Sequence, residues 1–339
     1  MLPRFRLLLV LAAVLGLAAG SGCGDAARTN PLDPLSDDFR DEGTVSGRVT
    51  GLYPPFPGRA DIRVRLVPIG AAGRPELATR TDADGQFALG GVPTGPYAVV
   101  AEREGFREAS DTVAVAPGAA AETTIRLDAL PVVTEQSLRT VHIVRWVPDE
   151  PVFQLEVEAM ADDPDRPEDI DGAALVVPDL GFSAELTRTG DRFTATLGAD
   201  DLPAPGVEAL LGQTLRIEVR DASGNASLGP PMSLVRIIEL SPQTLSPQGF
   251  VFIETNTPTL VWRPAQLPFA FTYRVDLFLV DAAGIPNLIE AETHRDLDPS
   301  VTSVPVTTEL EPGDYYWTVW VVDAFGNRSR SREAGFRVP

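Results

Sequence analysis

Asp, Gly, Asn and Ser recur in one order at two places, as "VRDASGNAS" over Val219–Ser227 and "VVDAFGNRS" over Val321–Ser329. These residue types allow three chemistries: a calcium loop, an Asn-x-Ser glycosylation acceptor, or a tight turn. Calcium takes six to eight oxygens, and each copy offers one carboxylate. The turn has a mechanism of its own, because Asp accepts a nearby backbone N–H and Gly supplies a positive φ at little steric cost. The phrase therefore reads as a hairpin turn that marks a repeated unit. A denser acidic stretch, "ADDPDRPEDIDG", carries Asp162, Asp163, Asp165, Glu168, Asp169 and Asp171 between two apolar segments. Asp162, Asp163, Asp165, Asp169 and Asp171 are numerous enough to be calcium ligands, and a solvated acidic loop is the competing reading. "TDADG" at Thr81–Gly85 starts like a calcium loop, but Pro93 stands at the twelfth position from Asp82 where a Glu would be needed, so a hairpin turn is expected.

Groups suited to catalysis are sparse. His142 and His294 are the two histidines, and neither His-Glu-x-x-His nor Gly-x-Ser-x-Gly occurs. "HRD" at His294–Asp296 resembles a kinase catalytic loop, yet Val301 occupies the place of its Asn. "GGVPTG" leads into a strand and so lacks the helix N-terminus that cradles phosphate. A chain without catalytic activity and without a cofactor is expected, apart from calcium at the acidic stretch.

The most suggestive surface chemistry lies in "DYYWTVWVVD". If Tyr315, Trp317, Val319 and Val321 face a core, the period of two turns Tyr316, Thr318, Trp320 and Val322 outward. On a neighbouring strand, Tyr273, Val275 and Leu277 inside leave Arg274, Asp276 and Phe278 on the same outer face. Tyr316, Trp320, Phe278 and Arg274 form the candidate binding face, suited to stacking on sugar rings or anchoring a protein. Packing against an adjacent domain is the structural alternative.

The elements that must position these residues read as strands throughout. Prolines (31) and glycines (29) are spread along the 339 residues, as many short strands joined by turns require. Ile62, Val64 and Leu66 alternate with arginines, Tyr97, Val99 and Ala101 alternate again, and so do Phe153, Leu155, Val157 and Ala159. Acidic residues outnumber basic ones 48 to 28, every basic residue is arginine, and the charge of −20 argues against a nucleic-acid partner.

Arg4 and Arg6 precede an apolar run from Leu7 to Ala19, followed by "LAAGSGCGD" with the single cysteine. This resembles a bacterial lipoprotein signal peptide over residues 1–22, although Gly20 stands where Leu is usual. The resemblance implies that Cys23 is lipidated, that the chain is exported and held to a membrane by acyl chains, and, with Gly24 next, that the outer membrane is its place. Residues 23–42 read as an acidic, disordered tether. The order "GTVSGRV", "TRTDADGQFALGGVPTGPYAVVAEREGF", "VAVAPG" over 43–130 resembles the carboxypeptidase regulatory-like domain, which implies a transthyretin-like β-sandwich with carbohydrate or protein contacts and does not imply peptidase activity. Residues 131–240 read as an Ig-like sandwich. Residues 241–339, with "TPTLVW", "FTYRVDLFLVD" and "EPGDYYWTVWVVDAFGN", resemble a fibronectin type III domain. The whole is expected to be all-β: three β-sandwiches in series forming a rod, in a non-catalytic structural, adhesive or scaffold lipoprotein with a protein or polysaccharide ligand. A carbohydrate-binding surface lipoprotein is the alternative.

Overall fold

The computed structural model describes residues 33, 35, 36, 39–70 and 74–339, so Cys23 and most of the expected tether lie outside the described residues. The fold is all-β, as expected, and its other regular elements are short 3-10 turns. The chain divides into two compact units, Met1–Ala129 and Leu130–Pro339.

The first unit is a two-sheet sandwich. One sheet has β1 (Glu42–Gly51) between β4 (Gln86–Pro93) and β7 (Ala120–Leu127). The other runs β3 (Leu77–Arg80), β2 (Arg63–Pro68), β5 (Gly95–Glu102), β6 (Ala109–Val115). The alternating residues do what their period dictates: Ile62, Val64, Leu66, Tyr97, Val99 and Ala101 are fully buried. "TDADG" is a turn, with Asp82 Oδ1 accepting from the Asp84 and Gln86 amides and Gly85 at φ +79°. At Gly47 of β1 any side chain would collide with the Thr123 carbonyl of β7 and the Phe87 ring of β4, so glycine is what fits between these two neighbouring strands.

The second unit has two hydrophobic cores, one drawn from Leu155 to Leu234 and one from Ile238 to Val338. Its first sandwich contains β8 (Val132–Ile143), β9 (Val152–Asp162), β10 (Ile170–Val177), β11 (Phe182–Thr189), β12 (Arg192–Leu197), β13 (Arg216–Asp221) and β14 (Ala226–Leu228). Its second contains β15 (Gln243–Ser246), β16 (Val251–Phe252), β17 (Thr259–Arg263), β18 (Phe271–Val280), β19 (Pro286–Leu288), β20 (His294–Leu297), β21 (Ser303–Pro305), β22 (Gly313–Asp323), β23 (Arg328–Arg330) and β24 (Ala334–Val338). The fibronectin-like alternation holds: Tyr315, Trp317, Val319 and Val321 are buried, as are Tyr273, Val275, Leu277 and the tryptophan of "TLVW", Trp262.

The two sandwiches of this unit share a sheet, which an arrangement of modules strung in series does not anticipate. β23 pairs in parallel with β8, Arg328 against Val141 and Arg330 against Ile143, so strands run without a break in the order β12, β9, β8, β23, β22, β18. Because pleat alternation is carried across each pairing, both cores lie on one side of this sheet. The other side is a single outer face.

Candidate functional site

The repeated Asp-x-x-Gly-Asn-x-Ser phrase forms the same turn twice. In the later copy Asp323 Oδ1 accepts from the Phe325 and Asn327 amides, Asn327 Nδ2 donates to Asp323 Oδ2 at 3.0 Å, and Gly326 has φ +83°. In the earlier copy Asn225 N and Nδ2 donate to Asp221 at 2.7 and 2.6 Å, and Gly224 again has φ +83°. Asn225 and Asn327 are both buried, so neither side chain is presented to a glycosylating enzyme.

The later turn also splices the two sandwiches. The Thr140 amide of β8 donates to Asn327 Oδ1 at 2.9 Å, and the Thr140 hydroxyl lies 3.2 Å from the same oxygen and 3.1 Å from the Arg236 carbonyl. His142 Nδ1 sits 3.0 Å from Ser329 Oγ, and its ring stacks on Phe153 at 4.3 Å. Burial holds the His142 pKa below the ordinary histidine value, against the ring's hydrogen bond to the Ile238 backbone carbonyl and the charge of Glu239. The residues of the phrase indicate a turn and do not reveal its contacts with Thr140 and His142. The available signal was the polar pair at the inward positions of "LRTVHI", where alternation calls for apolar side chains.

The four residues of the candidate binding face do come together on the outer face. Arg274 lies opposite Trp320 and Phe278 opposite Tyr316 across β18 and β22. Phe278 and Tyr316 stack with ring centroids 4.7 Å apart. All four side chains are half-buried rather than freely exposed. Phe278 and Tyr316 cover one another, and Trp320 and Arg274 are held by Asp276, only 2% exposed, whose Oδ2 accepts from Trp320 Nε1 at 2.9 Å while its Oδ1 accepts from Arg274 Nε at 2.9 Å. Arg328 and Arg330 of β23 lie over the Trp320 ring at 5.4 and 5.8 Å. Arg328 is paired with Glu156 of the other sandwich. Its pKa lies below the usual arginine value, chiefly through burial, with Arg139 and Arg274 adding repulsion that Glu156 and Asp276 oppose. Burial likewise raises the Tyr316 phenol.

Two exposed rings that alternation could not place adjoin this face. Trp146, 56% exposed, extends from the β8–β9 connection, donates its indole N–H to the Glu333 carbonyl at 2.7 Å, and carries Arg332 over its ring at 4.7 Å. Phe250, 51% exposed, lays its ring where a side chain on Gly335 would stand, and Gly335 is the β24 partner of Tyr316.

The acidic loop does not gather a metal site. Asp162 and Asp171 point to solvent while Asp163 and Asp169 are buried. Asp163 Oδ1 accepts from the Asp165 amide at 2.8 Å, and Asp169 lies 3.7 Å from Arg166. Among the described residues no three His, Cys, Asp or Glu groups converge as an ion requires. The calcium reading of Asp162, Asp163, Asp165, Asp169 and Asp171 is corrected on this ground: the carboxylates are used separately, to close turns and to meet an arginine. Burial, with the charges of Asp165 and Asp169, pushes the Asp163 carboxyl up to about 6 against the hydrogen bonds it accepts.

His294 of the "HRD" triplet is 3.8 Å from Glu292, which is fully buried and accepts from the Thr307 amide and hydroxyl and the Thr308 amide. Burial alone would raise the Glu292 pKa, and these hydrogen bonds from Thr308 and Thr307 hold it below the usual value. The carboxylate thus ties a loop to its sandwich.

The two-sheet geometry of the first unit and its "TDADG" turn agree with a further finding. Residues 44–128 match the carboxypeptidase regulatory-like domain. The match spans the first sandwich and stops at the boundary with the second unit. No curated protein matches the chain. Among solved structures, the chain is similar to the major pilin BcpA of Bacillus cereus, at 12% identity over 85% of this chain and 91% of that one, TM-score 0.28. It is also similar to the major pilin SpaD of Corynebacterium diphtheriae, at 8% over 87% and 97%, TM-score 0.32. The fibronectin(III)-like modules of Clostridium thermocellum CbhA resemble it at 10% over 62% and 93%, TM-score 0.29. Likeness at this level carries no argument about function. No helix among the described residues is long and apolar enough to cross a membrane.

Proposed function

We propose that this chain is a non-catalytic cell-surface lipoprotein, tethered through Cys23 and acting as a structural, adhesive or scaffold protein. The observation that carries this reading is the shared sheet. Pairing of β23 with β8 makes one body of two sandwiches and one broad outer face from six strands, a construction suited to holding a surface in place. Support against catalysis comes from the histidines. His142 is packed between Phe153 and Ser329, and His294 stands beside a carboxylate that caps a loop. The signal-like first 22 residues, with Cys23 after them, support export and an outer-membrane anchor.

Envelope fractionation tests the reading. The full-length chain is expected in the outer-membrane fraction together with envelope material that Trp320→Ala no longer retains. A chain recovered without lipid and without bound material would overturn it. A second reading, a carbohydrate-binding surface lipoprotein, is favoured by the stacked Phe278–Tyr316 pair beside Arg274 and Asp276, since sugar recognition combines flat apolar rings with fixed polar groups.

A further inference from the structure

Three aromatic rings contributed by two sandwiches stand around one ion pair. Arg330 and Glu333 are paired. Arg330 lies 5.8 Å from the Trp320 ring, both charges act on Tyr316, and the Glu333 carbonyl accepts from the Trp146 indole. Trp146 belongs to the first sandwich of the unit, and Tyr316 and Trp320 to the second, so the group exists only because the two share a sheet. A row of rings crosses the same face, from Phe278 to Tyr316 in a 4.7 Å stack and on to Phe250 over Gly335.

Most charges bordering these rings are paired. Arg274 pairs with Asp276, Arg328 with Glu156, Arg330 with Glu333 and Arg332 with Asp149, while Arg139 adds a further positive charge beside Arg328. A charged polymer gains little Coulomb attraction from such a border, and the chain total of −20 repels a polyanion. A neutral, hydroxyl-rich chain fits better. Its C–H faces pack on aromatic rings, and its hydroxyls exchange hydrogen bonds with guanidinium and carboxylate groups already fixed in place.

We propose that this composite face, with Trp146 supplied by one sandwich and Tyr316, Trp320 and Phe250 by the other, binds a neutral polysaccharide. The inference rests on the carbohydrate-binding reading and specifies its ligand class and its site.

Affinity electrophoresis of the full mature chain provides the test, in gels containing a neutral β-glucan, a neutral galactomannan, or alginate as the anionic polymer. Retardation is expected in at least one neutral gel and none in alginate. Trp146→Ala is expected to weaken binding about fivefold or more, the scale of one lost aromatic contact, while Trp146→Phe keeps most of it. Melting temperatures of both variants establish that they fold. If Trp146→Ala unfolds, Phe250→Ser, at a ring half in solvent, is expected to weaken retardation similarly. Retardation by alginate alone, or by none of the three polymers, would overturn the proposal. Retardation of the wild type that survives both Trp146→Ala and Phe250→Ser would overturn the composite site. Neither result bears on the scaffold reading, which the envelope fractionation decides by itself.

Discussion

Asp163 shows how one side chain can work against the fold that holds it. It is 2% exposed, and one oxygen accepts from the Asp165 amide while the other has no hydrogen-bond partner. Burial raises its pKa from 3.8 to about 6. A carboxyl whose folded pKa exceeds its unfolded value binds its proton more tightly in the native state, so stability falls as pH rises from about 4 to about 6 and stays lower above that window. Asp163→Asn keeps the acceptor for Asp165 and removes the charge. It is expected to stabilise the protein by on the order of 1–2 kcal/mol at pH 7.5 and to change little at pH 3.5. Thermal melts at the two pH values check this, and an unchanged melting temperature at pH 7.5 would refute it.

At the scale of elements, the two copies of the turn share their geometry and differ in what they touch. Gly224 and Gly326 both have φ +83°, so alanine at either should cost about 1 kcal/mol through backbone strain. A Cβ at Gly224 meets open space, whereas one at Gly326 would press on Arg139 at 3.1 Å. Gly326→Ala is therefore expected to be the more destabilising in urea titrations, and equal costs would show that the Arg139 contact is immaterial. Asn327→Ala removes the acceptor for the buried Thr140 amide and the donor to Asp323, a loss of about 2–4 kcal/mol. Calorimetry of the intact chain is expected to show the second unit melting in one transition in the wild type and in two, one per sandwich, in Asn327→Ala. A single transition retained in Asn327→Ala would place the coupling elsewhere along β8 and β23. The strands themselves were legible in the sequence, since the alternating Leu155, Val157 and Ala159, like Trp317, Val319 and Val321, are all buried. The pairing of β23 with β8 was not, because strand partners distant in sequence leave no periodic mark on either strand.

For the molecule as a whole, Cys23 is expected to decide location. Cys23→Ser should abolish incorporation of a labelled fatty acid and move the protein from the membrane to the soluble fraction. Persistence in the membrane fraction without label would point to a different mode of attachment. Of the candidate binding face, Tyr316, Trp320, Phe278 and Arg274 were legible from alternation, since residues two apart on a strand share a side. Their half-buried state was not, because it depends on contacts across β18 and β22, the Asp276 carboxylate meeting the Trp320 indole and the Phe278 ring covering Tyr316.

The sequence by itself determined the all-β class, the turns at Asp221 and Asp323, the core-facing residues of the strands with clear alternation, and the bounds of the regulatory-like match. Each of these is a local property, fixed by side-chain period, glycine conformation or a run of characteristic residues. Tertiary structure alone decided that two sandwiches share a sheet, that Asn327 holds Thr140, that the acidic loop disperses its carboxylates, and that Trp146 and Phe250 join the aromatic face. These depend on which strand edges meet, and an edge presents the same backbone N–H and C=O groups whatever its side chains are.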